Sequence, residues 1–251
     1  LQAQRKNTVN LIIDIGNTLA KLVAFDGNTP VEEIRTPNTT LEALPAFLNK
    51  YSFERGIMGT VFDITPEAER LLSSLPFPML RLNANTPIPV RNRYRTPQTL
   101  GADRLAAAVG AHMQHPNRNI LVIDAGTCIT YEFIDTEGNY WGGNIAPGMQ
   151  MRLKALHAYT ARLPLIEPEG DTPDFGYDTE TAMRSGVIQG MKFEIEGYIK
   201  HFQQKYPNLL VFLTGGDNLN FDSKIKNIIF ADKFIVPRGL NRILAFNNDK
   251  L

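Results

Sequence analysis

Two short, mostly apolar stretches of this chain lack the regular polar alternation of a half-buried strand, while much of the rest alternates or recurs at helical spacing. Val9 to Ile13 forms the first run and Ile120 to Ile123 the second, and each reads as a strand buried on both faces. The first ends in Asp14-Ile15-Gly16-Asn17-Thr18, the second in Asp124-Ala125-Gly126-Thr127. The segments after the two runs are also alike. Thr18 to Phe25, with Ala20, Leu22 and Ala24 on one side, predicts the returning strand of a hairpin that turns at Asp26-Gly27-Asn28, with Val31 to Arg35 as an edge strand. Ile129 to Ile134 and the turn Asp135 to Asn139 repeat that order.

Between the two hairpins, Thr39 and Glu42 offer a capping box for a helix reaching about Tyr51. Gly56 to Val61 predicts a strand, Thr65-Pro66-Glu67 opens a helix to about Ser74, and Phe77 to Leu82 reads as a short strand. A Pro- and Arg-rich loop over 83–99 leads to an Ala-rich helix from Gly101 to Met113, broken at His115-Pro116-Asn117. In the second half, Gly142 to Gly148 reads as a Gly/Pro loop before a helix from Met149 to about Tyr159. Asp178 caps a long helix toward Tyr206, whose Gly186, Gly190 and Gly197 are expected to permit close packing. Leu209 to Leu213 predicts a strand ending in Thr214-Gly215-Gly216-Asp217, and a strand at Phe234 to Val236 precedes a last helix from Gly239 to Phe246. The expectation is a duplicated α/β chain, not one doubly wound sheet, with domains at 8–117 and 118–247.

Composition narrows the class. Lysine plus arginine balance aspartate plus glutamate at 26 each, so no net field favours nucleic acid or a membrane surface. A single cysteine, Cys128, excludes an internal disulfide framework and a Cys-based structural zinc site. No apolar run approaches the ~18 residues that span a bilayer. The polar start, Leu1 to Asn7, does not read as a signal peptide. A cytoplasmic protein with no nucleic-acid or membrane partner is expected.

Chemistry concentrates at three places. An acidic residue at a strand end, followed by a glycine turn, suits metal-phosphate binding: backbone N–H groups meet anionic oxygens while the carboxylate faces a cation. In the first loop Gly16 permits close backbone approach, Asn17 and Thr18 can donate, and Lys21 supplies a point charge. The competing account is a hairpin whose Asp and Thr cap the turn and whose Lys faces solvent. In the second loop Thr127 and Thr130 can donate to phosphate oxygens. Neither Walker A nor Gly-x-Gly-x-x-Gly is present, which disfavours the common phosphate and dinucleotide loops. The third place is Gly101-Ala102-Asp103-Arg104. A carboxylate in a helix's first turn suits the macrodipole there and can accept a hydroxyl proton, and the neighbouring Arg can clamp a carboxylate. A helix start beside a surface Arg is the alternative. Arg91, Arg93 and Arg95 flank Tyr94, but in a neutral chain so short a cluster does not argue for RNA. His112 and His115 read as solvent-exposed polar residues rather than metal ligands.

The order Asp14-x-Gly16-Asn17-Thr18…Lys21, Tyr94-x-x-Pro97-x-x-Leu100-Gly101-x-Asp103-Arg104, Asp124-x-Gly126-Thr127-x-x-Thr130 and Gly142-Gly143-x-Ile145-x-Pro147-Gly148 resembles type III pantothenate kinase. Thr179-x-x-Ala182-x-x-Ser185-Gly186 and the Thr214 to Asp217 turn extend the likeness over about 9–246. The resemblance implies two duplicated ribonuclease H-like (actin-like ATPase) domains with an interdomain nucleotide cleft, and a homodimer. It also implies phosphorylation of pantothenate by ATP with magnesium, the first step of coenzyme A synthesis. By the same resemblance Asp14, Ile15, Gly16, Asn17, Thr18, Leu19, Ala20 and Lys21 hold the ATP phosphates, and Thr127 contacts ATP. Asp124 coordinates a monovalent cation, potassium or ammonium. Asp103 is the general base, and Tyr94, Gly101, Ala102, Arg104 and Thr179 line the acceptor site, with Thr181 as a rival to Thr179. Cys128 stands where that family often has Ala. Rival readings are another kinase or polyphosphate hydrolase of the superfamily, or a non-catalytic nucleotide-binding regulator.

Overall fold

The structure, a computed structural model, describes residues 8–216 and 229–248. In the first half the elements are β1 (Thr8–Ile15), β2 (Leu19–Asp26), β3 (Thr29–Pro37), α1 (Leu44–Leu48), β4 (Ser52–Thr60), α2 (Pro66–Ser73), β5 (Met79–Arg81), β6 (Arg91–Asn92), a 3-10 turn (Pro97–Thr99) and α3 (Ala102–Gln114). The second half adds β7 (Ile120–Ala125), β8 (Cys128–Ile134), β9 (Asn139–Pro147), α4 (Met149–Ala158), α5 (Thr179–Lys205), β10 (Leu210–Gly215), β11 (Ile229–Ala231) and α6 (Ile235–Phe246). They form two compact units. Among the described residues, unit 1 takes 8–117, 137–141 and 234–248, and unit 2 takes 118–136, 142–216 and 229–233.

Unit 1 is built on a sheet of order β3-β2-β1-β4-β5. The hairpin pairs β1, β2 and β3 antiparallel, whereas β4 and β5 add parallel to β1. Strand alternation sends Leu11, Ile13 and Ile15 to one face, where Leu44 and Phe47 of α1 and Ala68 and Leu72 of α2 cover them. Ile12 and Ile57 are fully buried as well, because α3 and α6 pack against β1 and β4. Cover on both faces is why the β1 run lacks polar alternation.

The last helix departs from the contiguous split expected at residue 117, since α6 belongs with unit 1. Its crossing with α3 requires glycine on both sides. A Cβ at Gly110 would lie 2.1 Å from the Ile235 carbonyl oxygen, and one at Gly239 would lie 1.8 Å from that of Ala106. A polar chain secures the same helix: Asn10 Nδ2 donates to Asn241 Oδ1 at 2.9 Å, and Asn241 Nδ2 to the Gly27 carbonyl at 2.9 Å. The predicted strand at Phe234 to Val236 is instead the start of α6, and the short strand lies earlier, at β11. Pro237 fits there because the first helical turn needs no intrahelical N–H bond.

Unit 2 repeats the plan. In the second sheet the run β9-β8-β7-β10-β11 matches β3-β2-β1-β4-β5 strand for strand. Leu121, Ile123 and Ala125 of β7 share a core with Met149 and Leu153 of α4 and with Met183, Met191 and Ile195 of α5. Residues Gly142 to Pro147, expected as a loop, continue β9; Gly143 is needed there because a Cβ would lie 1.6 Å from the Tyr131 carbonyl oxygen. Tyr131, on the neighbouring strand, donates to Glu194 Oε1 of α5 at 2.7 Å, and Arg152 of α4 bonds the other oxygen at 2.5 Å. Burial and Glu194 hold the Tyr131 phenol well above its usual range. Gly186, Gly190 and Gly197 do not serve packing within the unit, since a Cβ at each meets nothing within 4 Å. The helix capped by Thr39 is also absent. Leu41 adopts φ 52°, Ala43 is the N-cap, and α1 occupies a single short stretch with Pro45 in its first turn. His112 is partly buried, its ring packed beside Gly138, rather than solvent-exposed.

Candidate active site

In unit 1 the sheet register puts Asp14 at the end of β1, directly opposite Lys21 of β2 and beside Gly59 of β4. Asp14 is 9% exposed, and its Oδ2 lies 3.6 Å from Lys21 Nζ. Burial pushes the Asp14 carboxyl above its usual range; Lys21 opposes that shift and the nearby Asp103 carboxylate adds to it. A buried carboxylate with one cation and a second carboxylate close by is a place where added positive charge is stabilising.

Between β1 and β2 the turn is closed by Gly16 N–H to the Leu19 carbonyl at 3.1 Å. Asn17, Thr18 and Leu19 are exposed at its tip, while Ile15 and Ala20 are buried beneath it. Asn38, which sequence reasoning missed, pins this turn: its Nδ2 donates to the carbonyls of Gly16 at 2.8 Å and Asn17 at 2.9 Å. Its one cue was an Asn directly after a strand, a position suited to bonding nearby backbone.

Gly59 explains how α3 reaches this strand end. A Cβ there would lie 3.3 Å from Ala102 Cβ and 3.2 Å from Leu240, so any larger residue would press the helix start outward. Gly101 has its own reason, because a Cβ would lie 2.5 Å from Asp103 Oδ1. That oxygen accepts the Arg104 N–H at 2.8 Å, which fixes the carboxylate at the first turn of α3. Arg104 is buried, with its guanidinium 5.5 Å from the Tyr94 ring centroid. The Tyr94 N–H donates to Asn92 Oδ1 at 2.9 Å. Asp14, Lys21, Asp103, Arg104 and Tyr94 are therefore brought to one part of unit 1. Of the flanking arginines, Arg91 lies 3.8 Å from Glu137, and Arg93 Nε donates to Asn139 Oδ1 at 3.0 Å.

In unit 2, Asp124 ends β7 with Thr130 opposite on β8 and Thr214 opposite on β10. The loop beyond it is held by backbone bonds: Gly126 N–H to the Cys128 carbonyl at 3.0 Å, and Gly148 N–H to the Thr127 carbonyl at 3.1 Å. Two glycines crowd against it. A Cβ at Gly148 would lie 2.0 Å from the Gly126 carbonyl, and one at Gly215, at φ +108°, would lie 2.0 Å from the Ala125 carbonyl. Thr127 is exposed. Asp217 of the same turn lies outside the described residues. At the α5 start, the Asp178 side chain accepts from Thr181 N at 2.8 Å, and the Thr181 hydroxyl donates back to it at 2.7 Å while accepting from the Asp178 N–H. Thr181 is thus committed to a capping box, and Thr179 is exposed.

Among the described residues no cluster of three or more His, Cys, Asp or Glu could hold a metal alone. A magnesium ion brought with ATP is usually held by one or two carboxylates together with the substrate's phosphates. Asp14, buried and near a second carboxylate, fits that demand.

Solved structures with this fold include the ethanolamine utilization protein EutJ from Carboxydothermus hydrogenoformans. It has TM-score 0.54 at 14% identity, covering 94% of this chain and 89% of that one. The activator of 2-hydroxyisocaproyl-CoA dehydratase from Clostridium difficile matches with TM-score 0.53 at 13% identity, covering 96% of each chain. With the repeated sheet order, these likenesses place the protein in the class of actin-like ATPase folds with duplicated ribonuclease H-like domains. The family model for type III pantothenate kinase matches residues 10–201. A type III pantothenate kinase of Bacteroides fragilis is 56% identical over 97% of this chain and 100% of its own length. One of Porphyromonas gingivalis is 44% identical over 95% and 98%. The chain belongs to the type III pantothenate kinase family.

Proposed function

We propose that this kinase transfers the γ-phosphate of ATP to the 4′-hydroxyl of pantothenate with Asp103 as general base. Phosphorylation of pantothenate by ATP is the family's activity and the entry to coenzyme A synthesis. The assignment of the base rests on one observation. Asp103 is a positioned carboxylate at a helix start, near the buried Asp14, with one oxygen committed to the Arg104 N–H. In the step, the acceptor oxygen bonds to phosphorus as the bond to the ADP oxygen breaks, and the hydroxyl proton passes to Asp103. Phosphoryl transfer asks mainly for positioning and charge neutralisation, which the remaining residues supply. The loop Asp14 to Lys21 binds the phosphates, with Lys21 as a point charge and Asp14 facing magnesium. Arg104 and Tyr94 orient the acceptor, with the Arg104 guanidinium donating to the pantothenate carboxylate. Thr179, whose hydroxyl the cap leaves available, is the acceptor-site threonine in preference to Thr181. Thr127 contacts ATP, and Asp124 holds a monovalent cation, potassium or ammonium, which neutralises phosphate charge when bound.

A homodimer is part of this reading. Tyr159 is 89% exposed and Phe175 89%, both on unit 2. On α5, Gly186, Gly190, exposed Phe193 and Gly197 recur at helical spacing with open space above the glycines, a surface suited to a close-packed second helix. Sedimentation velocity reads the oligomeric state directly. No helix among the described residues is long and apolar enough to cross a membrane.

Asp103→Asn tests the mechanism. Turnover should fall by at least ~100-fold with ATP binding retained, read as phosphopantothenate by mass spectrometry and as nucleotide affinity by titration. Near-normal turnover in that variant sinks the role of Asp103.

A further inference from the structure

At the far end of unit 1 from Asp14, a cavity of about 140 Å³ opens between the β2–β3 turn, the end of α3 and the face of α6. Gln114, on its wall, is roughly 16 Å along α3 from Asp103 at 1.5 Å per residue. Its chemistry is one-sided. Arg238 and Arg242, four apart on α6, both line it, Asn28 and Gln114 add amides, and no carboxylate is among the described residues that line it. Phe25 forms a buried apolar wall.

The Arg242 Nε is buried and has no hydrogen-bond partner. A guanidinium N–H taken out of water without an acceptor is costly, so the Arg242 side chain gains by turning toward an anion in the cavity that its residue lines. Arg238 is held in place by its Nη1, which donates to the Asn28 carbonyl at 3.2 Å. Asn241 is anchored by its bonds to Asn10 and Gly27, so this stretch of α6 is fixed before any ligand arrives. Two arginines on successive turns of a fixed helix, lining a small cavity with no acidic residue among its described walls, match a tetrahedral oxyanion, which accepts paired N–H bonds from planar guanidinium groups.

We propose that this cavity is a second anion site that binds phosphate or a phosphoryl group, separate from the ATP phosphates. It needs no part of the catalytic reading. The test uses the full chain in phosphate-free buffer at fixed ionic strength, with the nucleotide site filled by a non-hydrolysable ATP analogue and magnesium. Inorganic phosphate is titrated calorimetrically in one arm and glycerol 3-phosphate in the other. Saturable binding in either arm is expected, weakened at least ~10-fold in Arg242→Gln, with pantothenate turnover unchanged. Arg238→Gln should weaken it less and serves as the test if Arg242→Gln does not fold. Binding of inorganic phosphate alone identifies a site for the free ion, and binding in both arms identifies a site for phosphoryl groups of larger ligands. Absence of binding below about 10 mM in both arms, or binding unchanged in both variants, overturns the proposal.

Discussion

Asp14 and Asp124 end equivalent strands in sheets of the same order, yet their surroundings differ. Asp14 is buried against Lys21, with Asp103 adding repulsion, and its turn is held by a side chain, Asn38. Asp124 faces Thr130 and Thr214 across the sheet, and its loop is held by backbone crowding at Gly148 and Gly215. Duplication kept the strand and the carboxylate, while the neighbours were free to diverge. One loop stores unfavourable charge that a cation can relieve; the other stores tight backbone contact that fixes its shape.

The sharpest way to break that comparison is at its glycines. Gly215→Ala should destabilise the protein by roughly 2–5 kcal/mol, from a left-handed φ and a backbone collision together. Gly16→Ala meets only the Leu19 carbonyl at 3.3 Å and should cost under ~1 kcal/mol. Urea unfolding of the two variants decides the matter, and equal losses would erase the distinction.

Charge comes next. Asp14→Asn should reduce turnover on the order of 100-fold, while the ligand-free protein becomes more stable at neutral pH. The folded-state pKa of Asp14 lies above its unfolded value, so the native state binds more protons between the two. The contribution of Asp14 to wild-type stability is therefore most favourable below the ordinary carboxyl value of about 3.9 and is lost as pH rises through the raised one. The advantage of Asp14→Asn should accordingly fade as pH is lowered. A ligand-free variant less stable than wild type at pH 7 would contradict this account.

The smallest effect separates two threonines at the α5 start. Thr181→Ala should lose about 1 kcal/mol through the broken capping box, whereas Thr179→Ala should leave melting unchanged and raise the pantothenate KM. A KM change confined to Thr181→Ala would reverse their roles.

Much of unit 1 was legible in the chain. An apolar run without alternation announces a strand covered on both faces, and Asp14-x-Gly16 announces the turn beyond it. The Ala-rich stretch after Gly101 announces α3 with Asp103 in its first turn. What escaped was long-range. Asn38 acts through carbonyls more than twenty residues back, and nothing in local pattern shows a bond of that kind. The glycines of β9 looked like a loop because glycine is also the mark of turns, but Gly143 is there to clear the Tyr131 carbonyl. The glycines of α5 announced close packing, but within their own unit a Cβ at each meets nothing within 4 Å.

By itself the sequence determined the duplicated strand-and-hairpin plan and the motifs of a type III pantothenate kinase, because strand period, turn chemistry and motif spacing are local properties. Tertiary structure alone decided that the final helix returns to unit 1 through the Gly110 and Gly239 crossing, and that Asp14 is buried near Asp103. It also brought Arg238 and Arg242 to a cavity with no carboxylate among its described lining residues. Burial, close approach and the company a charge keeps depend on segments distant in the chain, and no local pattern encodes them.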